Sequence, residues 1–340
     1  METVACDLCG SDRVQVVLRQ RDLMFDESPE EFTVVRCTVC ALLYLNPRPT
    51  RLEIGRYYPV QYYPSVPPKL RRGFEQSLKR VSSMVKRWIM EDFYGYPSSQ
   101  VQGLFRRLRK LVLWPEKARR VFQGRDIFPW IGQGRLLDVG CGSGGNLTTL
   151  QGQGWDVYGI EMSETAAAQA RERVGDRIHV GTLETAPFGE ESFDLVFLSH
   201  SLEHFFSPAE ALARVRRLLK PNGMAVIAVP NAGSLEAKLF GLWWVPWDPP
   251  RHLYHFDQDT LSRLLKQAGF RVVRIRTGVG SLYFMASLER ILKHRWGRTL
   301  PAKRLIEKLI VRPLCLMAGH LGYGTEITVY AVKGQAEAQV

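Results

Sequence analysis

The stretch Arg135-Leu-Leu-Asp138-Val-Gly140-Cys141-Gly142-Ser-Gly144-Gly145-Asn146 decides how this chain is read. A short apolar run enters a glycine-rich turn, and a helical run over Asn146–Gln151 leaves it. Glycine suits a turn whose backbone takes positive φ and approaches a ligand closely. Gly140, Gly142 and Gly145 match the G-x-G-x-x-G spacing of dinucleotide sites. Asp138, two residues before the first glycine, argues against a nicotinamide cofactor. A carboxylate there orders the loop and faces a cation, whereas a pyrophosphate would be repelled.

Working outward, a strand over Trp155–Ile160 ends at Glu161, 21 residues beyond Gly140, where an acidic side chain can accept both hydroxyls of a ribose. A helix follows, with Ser163 at its start and Gly175 at its end. Further strands are expected over 178–180, 193–198, 224–229, 270–276 and 326–332. Between them lie helices over 207–219, opened by Ser207-Pro208-Ala-Glu210, and 257–268, capped by Asp257. Alternating strands and helices specify an α/β fold: a Rossmann-like, doubly wound, mostly parallel sheet with ligands at the carboxyl ends of its strands.

These residues resemble motif I of class I S-adenosylmethionine (SAM)-dependent methyltransferases. Ser192-Phe-Asp194-Leu-Val, Glu203-His204 and Leu219-Lys-Pro-Asn-Gly223 resemble that family's later landmarks, in order, over roughly residues 130–335. The resemblance implies that Asp138, Gly140, Cys141 and Gly142 line the methionine end of SAM. Glu161 with Met162 would hold the ribose, Thr182 and Leu183 would lie near adenine, and Ser199 would border the site. Where such enzymes often carry Asp in the adenine-side loop, this chain has Thr182-Leu183-Glu184. With the N-terminal cysteine pairs described next, the layout is similar to bacterial methyltransferases of surface-polysaccharide and deoxysugar pathways. That implies a sugar, nucleotide-sugar or lipid-linked glycan acceptor, with a prenylated quinone or another small hydroxyl compound as the alternative.

Cys6-Asp-Leu-Cys9 and Cys37-Thr-Val-Cys40 are two C-x-x-C pairs 27 residues apart, flanking strand-like runs at 14–19 and 32–36. Two such pairs complete a tetrahedral thiolate site, so a zinc ribbon over residues 1–50 is expected, its ion structural because no coordination position is left open. Unrelated thiols or a redox pair are the competing reading. The start of the chain lacks the basic-then-apolar pattern of a signal peptide, so a cytoplasmic chain without disulfides is expected.

His200-Ser-Leu-Glu203-His204 follows the fourth strand, and on a helix these three side chains would share one face. His252 and His255 follow the fifth strand. Methyl transfer needs the acceptor held in line with the methyl and a base for its proton, and histidine titrates in the right range. One of these histidines as base is one reading. A divalent metal on His200, Glu203, His204 and His252 is a second. A bracing role for Glu203-His204 is a third. H-x-x-E-H also matches an inverted zinc-protease string, which its place after a Rossmann strand argues against. Beside the second pair, four rings in Leu239–Trp247 read as an acceptor pocket or as the core of a lid.

The net charge of +12 is concentrated. Residues 69–135 carry 16 Lys/Arg against 5 Asp/Glu, residues 289–320 carry 8 against 2, and every other part is slightly acidic. The first excess lies in a basic helical insert over 51–130, the second in a helical insertion over 279–323 of a 131–340 methyltransferase domain. Leu78, Val81, Met84, Val85, Trp88 and Ile89 recur at helical spacing, as do Val101, Leu104, Phe105, Leu108, Leu111 and Val112, with Trp114-Pro115 as a stop. Leu305, Ile306, Leu309 and Ile310 repeat the pattern among Lys303, Arg304, Lys308 and Arg312. Such stripes either pack on the body with the charges solvated, or lie peripherally on an anionic membrane. Nucleic acid is the least favoured partner, since no RNA-binding motif interleaves the charges. No apolar run reaches the length of a membrane span.

Overall fold

The computed structural model describes residues 1–25, 29–59, 74–97, 103–124 and 127–334, and the side chains of 74–81 lie outside it. The expected apolar positions Leu78, Val81 and Val101 therefore fall outside the described residues.

An N-terminal hairpin, β1 (Val14–Arg21) and β2 (Glu31–Cys37), continues into β3 (Leu43–Leu45). Two long helices follow, α1 (Phe74–Phe93) and α2 (Leu104–Phe122). The core then alternates β4 (Arg135–Val139), α3 (Gly145–Gln151), β5 (Asp156–Glu161), α4 (Glu164–Val174), β6 (Ile178–Val180), β7 (Phe193–Ser199), α5 (Pro208–Leu218), β8 (Leu219–Pro230) and α6 (Leu235–Phe240). It closes with β9 (Tyr254–His255), α7 (Gln258–Gln267), β10 (Phe270–Thr277), α8 (Leu282–Trp296), α9 (Lys303–Ile306), a π turn over Glu307–Val311, α10 (Arg312–His320) and β11 (Glu326–Lys333).

Seven strands form one sheet in the order β10-β11-β8-β7-β4-β5-β6. The β4–β5, β4–β7, β5–β6 and β7–β8 pairs are parallel, and β11 runs antiparallel between β8 and β10. Successive residues of β4 serve different cores: Leu136 packs with Ile89, Leu113 and Trp155, and Leu137 with Val196, Ile227 and Val329. Burial on both faces explains why these strands read as continuous apolar runs. Ser207 and Asp257 cap α5 and α7 as expected, each accepting a backbone N–H of the first turn.

The N-terminal sheet does not stand apart. Its fourth strand is β9, with Leu43 opposite His255 and Tyr44 opposite Tyr254. Arg48 donates to the Phe206 carbonyl at 2.7 Å, Asp7 accepts from Ser207 Oγ at 2.9 Å, and Arg263 donates to the Cys40 carbonyl. One apolar cluster runs from Cys6 and Phe32 to Val196 and Leu212.

Two expectations about the basic helices are corrected. Pro115 does not stop α2, which runs on to Phe122. A proline removes one intrahelical bond, and ion pairs of Glu116 with Arg119 and Arg120 brace the turn that follows. Nor does the apolar stripe of α2 pack while its charges are solvated. Arg106 and Arg109 turn inward onto the buried Asp92 at 3.2 and 2.7 Å, and Leu104, Phe105, Leu108, Leu111 and Val112 face solvent. Leu305, Leu309 and Ile310 are exposed as well, while Ile306 packs on the core. No helix among the described residues is long and apolar enough to cross a membrane.

Candidate active site

The glycine loop is built by backbone hydrogen bonds. The N–H groups of Gly140 and Cys141 both donate to the Ile160 carbonyl, at 2.9 and 3.0 Å, which folds the loop over the end of β5. Gly140 has φ +78°, and a Cβ there would sit 2.9 Å from Ser201 Cβ, so only glycine fits. Gly144, also at positive φ, lets α3 approach Ala170 of α4; Gly145, expected to close the fingerprint, meets no neighbour. Glu161 accepts from Gly142 N–H and Ser163 N–H, both at 2.8 Å. Asp138 is fully buried, and neither carboxylate oxygen has a hydrogen-bond partner. Burial, with Glu161 nearby, pushes it up to about 7.

These residues fit SAM. A buried carboxylate with two orphaned oxygens suits a cationic ligand, and Glu161 ends β5 beside the glycine loop, whose Gly142 amide it holds. Leu183 is buried, Thr182 is tied to Thr185, Ser199 ends β7 half-buried, and Met162 is largely exposed at the rim. Cys141 is buried, and burial pushes its thiol up.

The histidine cluster departs from its expected form. His200, Glu203 and His204 do not share a helical face, because His200 sits at φ +51° and only a single 3₁₀ turn, Leu202–His204, follows. His200 leaves the cluster: its Nε2 lies 2.7 Å from Glu326 and its Nδ1 3.5 Å from Glu203. Burial opposes its charge, but the two carboxylates outweigh it and push His200 up to about 10. Burial also opposes ionisation of Glu203, which its histidine neighbours nevertheless hold down at about 2.

Glu203, His204 and His252 remain together, their ligating atoms within 4.8 Å of one another. His204 Nδ1 faces the Arg251 carbonyl at 2.9 Å, and His252 Nδ1 faces the Pro246 carbonyl at 2.8 Å. A carbonyl only accepts, so each Nδ1 carries a proton, and a neutral His204 keeps its lone pair on Nε2. Burial, then the neighbouring His252, lowers His204 to about 4 and His255 to about 3. His255 is enclosed against Trp247, with ring centroids 4.8 Å apart. Trp244 and Trp247 are buried too, so the aromatic stretch is core here.

Several partners came without a local signal. Tyr58 Oη lies 3.0 Å from His204 Nδ1, across 146 residues. Arg251, fully buried, donates to Asp22 twice at 2.7 Å, to Asp248 at 2.7 and 3.0 Å, and to the Tyr57 carbonyl at 3.0 Å. The turn carrying His204 and the loop carrying His252 are thereby both fastened to the N-terminal segment. A cavity of about 630 Å³ opens beside His200 and Glu326, with Tyr283, Gln258, Thr277 and Thr325 in its wall. Glu326 opens β11, and a charge at the start of an otherwise apolar strand was the available signal.

The four cysteines meet at the far end of the N-terminal sheet, all Sγ atoms within 4.8 Å, with Cys6–Cys40 at 3.3 Å and Cys9–Cys37 at 3.5 Å. Zn–S bonds of about 2.3 Å place tetrahedral sulfurs about 3.8 Å apart, so the set fits zinc. Both knuckles close alike: Gly10 N–H donates to the Cys6 carbonyl and Ala41 N–H to the Cys37 carbonyl, with Ala41 accepting φ +66°. Burial opposes ionisation of Cys37, but the Cys40 and Val39 amides outweigh it and lower it to about 7.

Comparison with known proteins gives consistent matches. The family described as methyltransferase domain matches residues 100–275. An uncharacterized methyltransferase of Synechocystis sp. is 34% identical over 195 residues, which cover 53% of this chain and 86% of that protein. The O-methyltransferase cnsE of Penicillium expansum is 31% identical over 150 residues, 41% of this chain and 53% of that protein. The ubiquinone biosynthesis O-methyltransferase of Roseobacter denitrificans is 32% identical over 147 residues, 40% of this chain and 59% of that protein. The chain thus spans little more than half the length of these two O-methyltransferases.

Proposed function

The chain belongs to the methyltransferase domain family, and from that premise we propose that it is a SAM-dependent methyltransferase acting on a hydroxyl oxygen of a sugar, free, nucleotide-linked or lipid-linked. The observation that carries this reading is the 630 Å³ cavity at the carboxyl end of β7, whose wall of His200, Glu326, Gln258, Thr277, Thr325 and Tyr283 suits a polyol. The relatives named as O-methyltransferases support oxygen as the acceptor atom.

SAM, when bound, supplies a methyl group on a sulfonium. Asp138 faces that cation, Glu161 holds the ribose, and Gly140 and Gly142 let the backbone approach closely. His200, kept charged by Glu203 and Glu326, orients acceptor oxygens and does not take a proton. The base is His204, neutral at physiological pH, with its Nε2 lone pair set by the Nδ1 bond to Arg251. His204→Ala is expected to lower turnover by about 10²-fold or more and to leave SAM affinity unchanged. Unchanged turnover, measured with tritiated-methyl SAM, would remove His204 from the reaction.

One observation favours a second reading. Both oxygens of buried Glu203 lack a hydrogen-bond partner, and its ligating atom lies within 4.8 Å of those of His204 and His252. Those three residues would hold a divalent cation, which makes bound hydroxyls more acidic. Chelation that abolishes turnover while the protein stays folded favours the cation, and full activity after chelation favours the histidine alone.

The same proposal places a structural zinc on Cys6, Cys9, Cys37 and Cys40, so that residues 1–50 form a zinc ribbon, residues 51–130 a basic helical insert and residues 131–340 the catalytic domain. Its role is to seat Tyr58 and the Arg251 loop against the site.

A further inference from the structure

Helix α2 is inverted relative to an ordinary amphipathic helix. At 100° per residue, Leu104, Leu108, Leu111, Pro115 and Phe122 fall within about 60° of one another, with Val112 and Phe105 at one margin. The seven large apolar residues of this helix that face solvent, Trp114 included, are 52–76% exposed. The opposite side carries Arg106, Arg109, Leu113 and Arg120 and faces the protein, where Asp92 receives Arg106 and both Asp92 and Glu91 receive Arg109. Water alone does not favour that orientation.

The second basic segment also leaves large apolar side chains in solvent. Leu305, Leu309, Ile310, Met317 and Leu321 are 56–66% exposed, interspersed with exposed Arg304, Lys308 and Arg312. The two stripes meet. Phe122, at the end of the first, stacks on His320 at 4.4 Å and 17°, and His320 Nε2 bonds the Phe122 carbonyl at 2.9 Å. Leu321 follows at once. The junction borders the cavity described above: Gln123, Gly124, Gly319 and His320 line it, together with Leu282, itself 75% exposed.

We propose that the two stripes form one docking surface for an anionic phospholipid bilayer, with the cavity mouth at its edge. Charge selects this occupant. The stripes lie in the two segments that hold the whole excess of Lys and Arg, so a second copy of the chain would bring like charge against like. A bilayer offers acyl chains to the aliphatic stripe and phosphates to the cations beside it, such as Arg107, whose stem can lie along the apolar surface. A nucleic acid would meet the same cations but leave Leu108, Leu111 and Val112 in water. The docking does not depend on which acceptor the cavity takes.

The test uses the full chain and vesicles of phosphatidylcholine, with and without phosphatidylglycerol, in a sedimentation assay. Wild-type protein is expected to pellet with the anionic vesicles and about tenfold less with the neutral ones, since juxtamembrane cations read surface charge. Leu108→Glu with Leu111→Glu is expected to cut binding to anionic vesicles by at least tenfold, at unchanged SAM affinity and circular dichroism, because both side chains are exposed. Three results would each overturn the proposal. The wild type stays in the supernatant with anionic vesicles at low salt. The double variant pellets as well as the wild type, so that charge alone suffices. Or the wild type is a dimer that the double variant dissolves, and neither binds vesicles.

Discussion

Replacing Arg251 by methionine should destabilise the protein by about 4–5 kcal/mol, the upper part of the range for breaking a buried ion pair. The structure explains why the upper part applies. The guanidinium is completely buried, and its five N–H donors are all engaged, four on Asp22 and Asp248 and one on the Tyr57 carbonyl. Methionine keeps much of the packing against Phe25, whose ring centroid lies 5.0 Å from the guanidinium carbon. It leaves two nearly buried carboxylates without the guanidinium that bridges them. Lysine restores the charge but offers three donors on one atom and cannot span two carboxylates, so Arg251→Lys should recover less than half the loss. Adding Asp22→Asn and Asp248→Asn to Arg251→Met should restore part of it, because the penalty lies in the orphaned charges. The assay is urea unfolding of the metal-replete protein, followed by circular dichroism. A loss below about 1 kcal/mol, typical of exposed pairs, or a further loss on adding the two asparagines, would refute the reasoning.

The remaining predictions concern separate groups. Cys37→Ser should lower bound zinc from one per chain towards none and lower the melting temperature, read by elemental analysis and a thermal scan, because the site closes the N-terminal sheet. SAM should bind about tenfold more weakly at pH 6 than at pH 8, because Asp138 holds a proton up to about 7 and a cation needs its anion; titration calorimetry reads this, and Asp138→Asn should flatten the profile. His200 has its pKa raised from 6.5 to about 10, so its stabilisation is complete below 6.5 and disappears as the pH rises through 10. The stability gap between wild type and His200→Gln should therefore be widest near pH 6 and close towards pH 10 in denaturant titrations.

What could be read from the sequence was local chemistry. The β4 strand, its glycine turn, Asp138 and Glu161 lie within 27 residues, and their spacing carries the geometry. The caps at Ser207 and Asp257 and the cysteine pairs are legible for the same reason. Pairings between distant residues were not. His200 with Glu326, His204 with Tyr58 and Arg251 with Asp22 join positions 126, 146 and 229 residues apart. Spacing within one segment has no access to such partners. The helical reading of His200-Ser-Leu-Glu-His204 failed for a related reason: the i, i+3, i+4 rule assumes regular helix, and a left-handed His200 sets its ring between Glu326 and Glu203, apart from His204.

The orientation of α2 shows the limit more sharply. Periodicity correctly separates an apolar side from a basic side, but it is silent on which side meets the body. That depends on what the body offers, and here α1 offers Glu91 and Asp92, both nearly buried. Two carboxylates removed from water need cations more urgently than a few leucines need a cover. Arg106 and Arg109 are drawn in, and the leucines are left outside. It follows that Glu91 and Asp92 decide the surface of the protein from beneath it. Replacing both by leucine should remove the demand for the arginines and let α2 rotate its stripe inward. Vesicle binding, if carried by the stripe, should then fall without any substitution in the stripe itself, and the exposure of Trp114 to an aqueous quencher should change with it. Retention of both at wild-type levels would mean that the inward arginines do not hold the helix in this orientation.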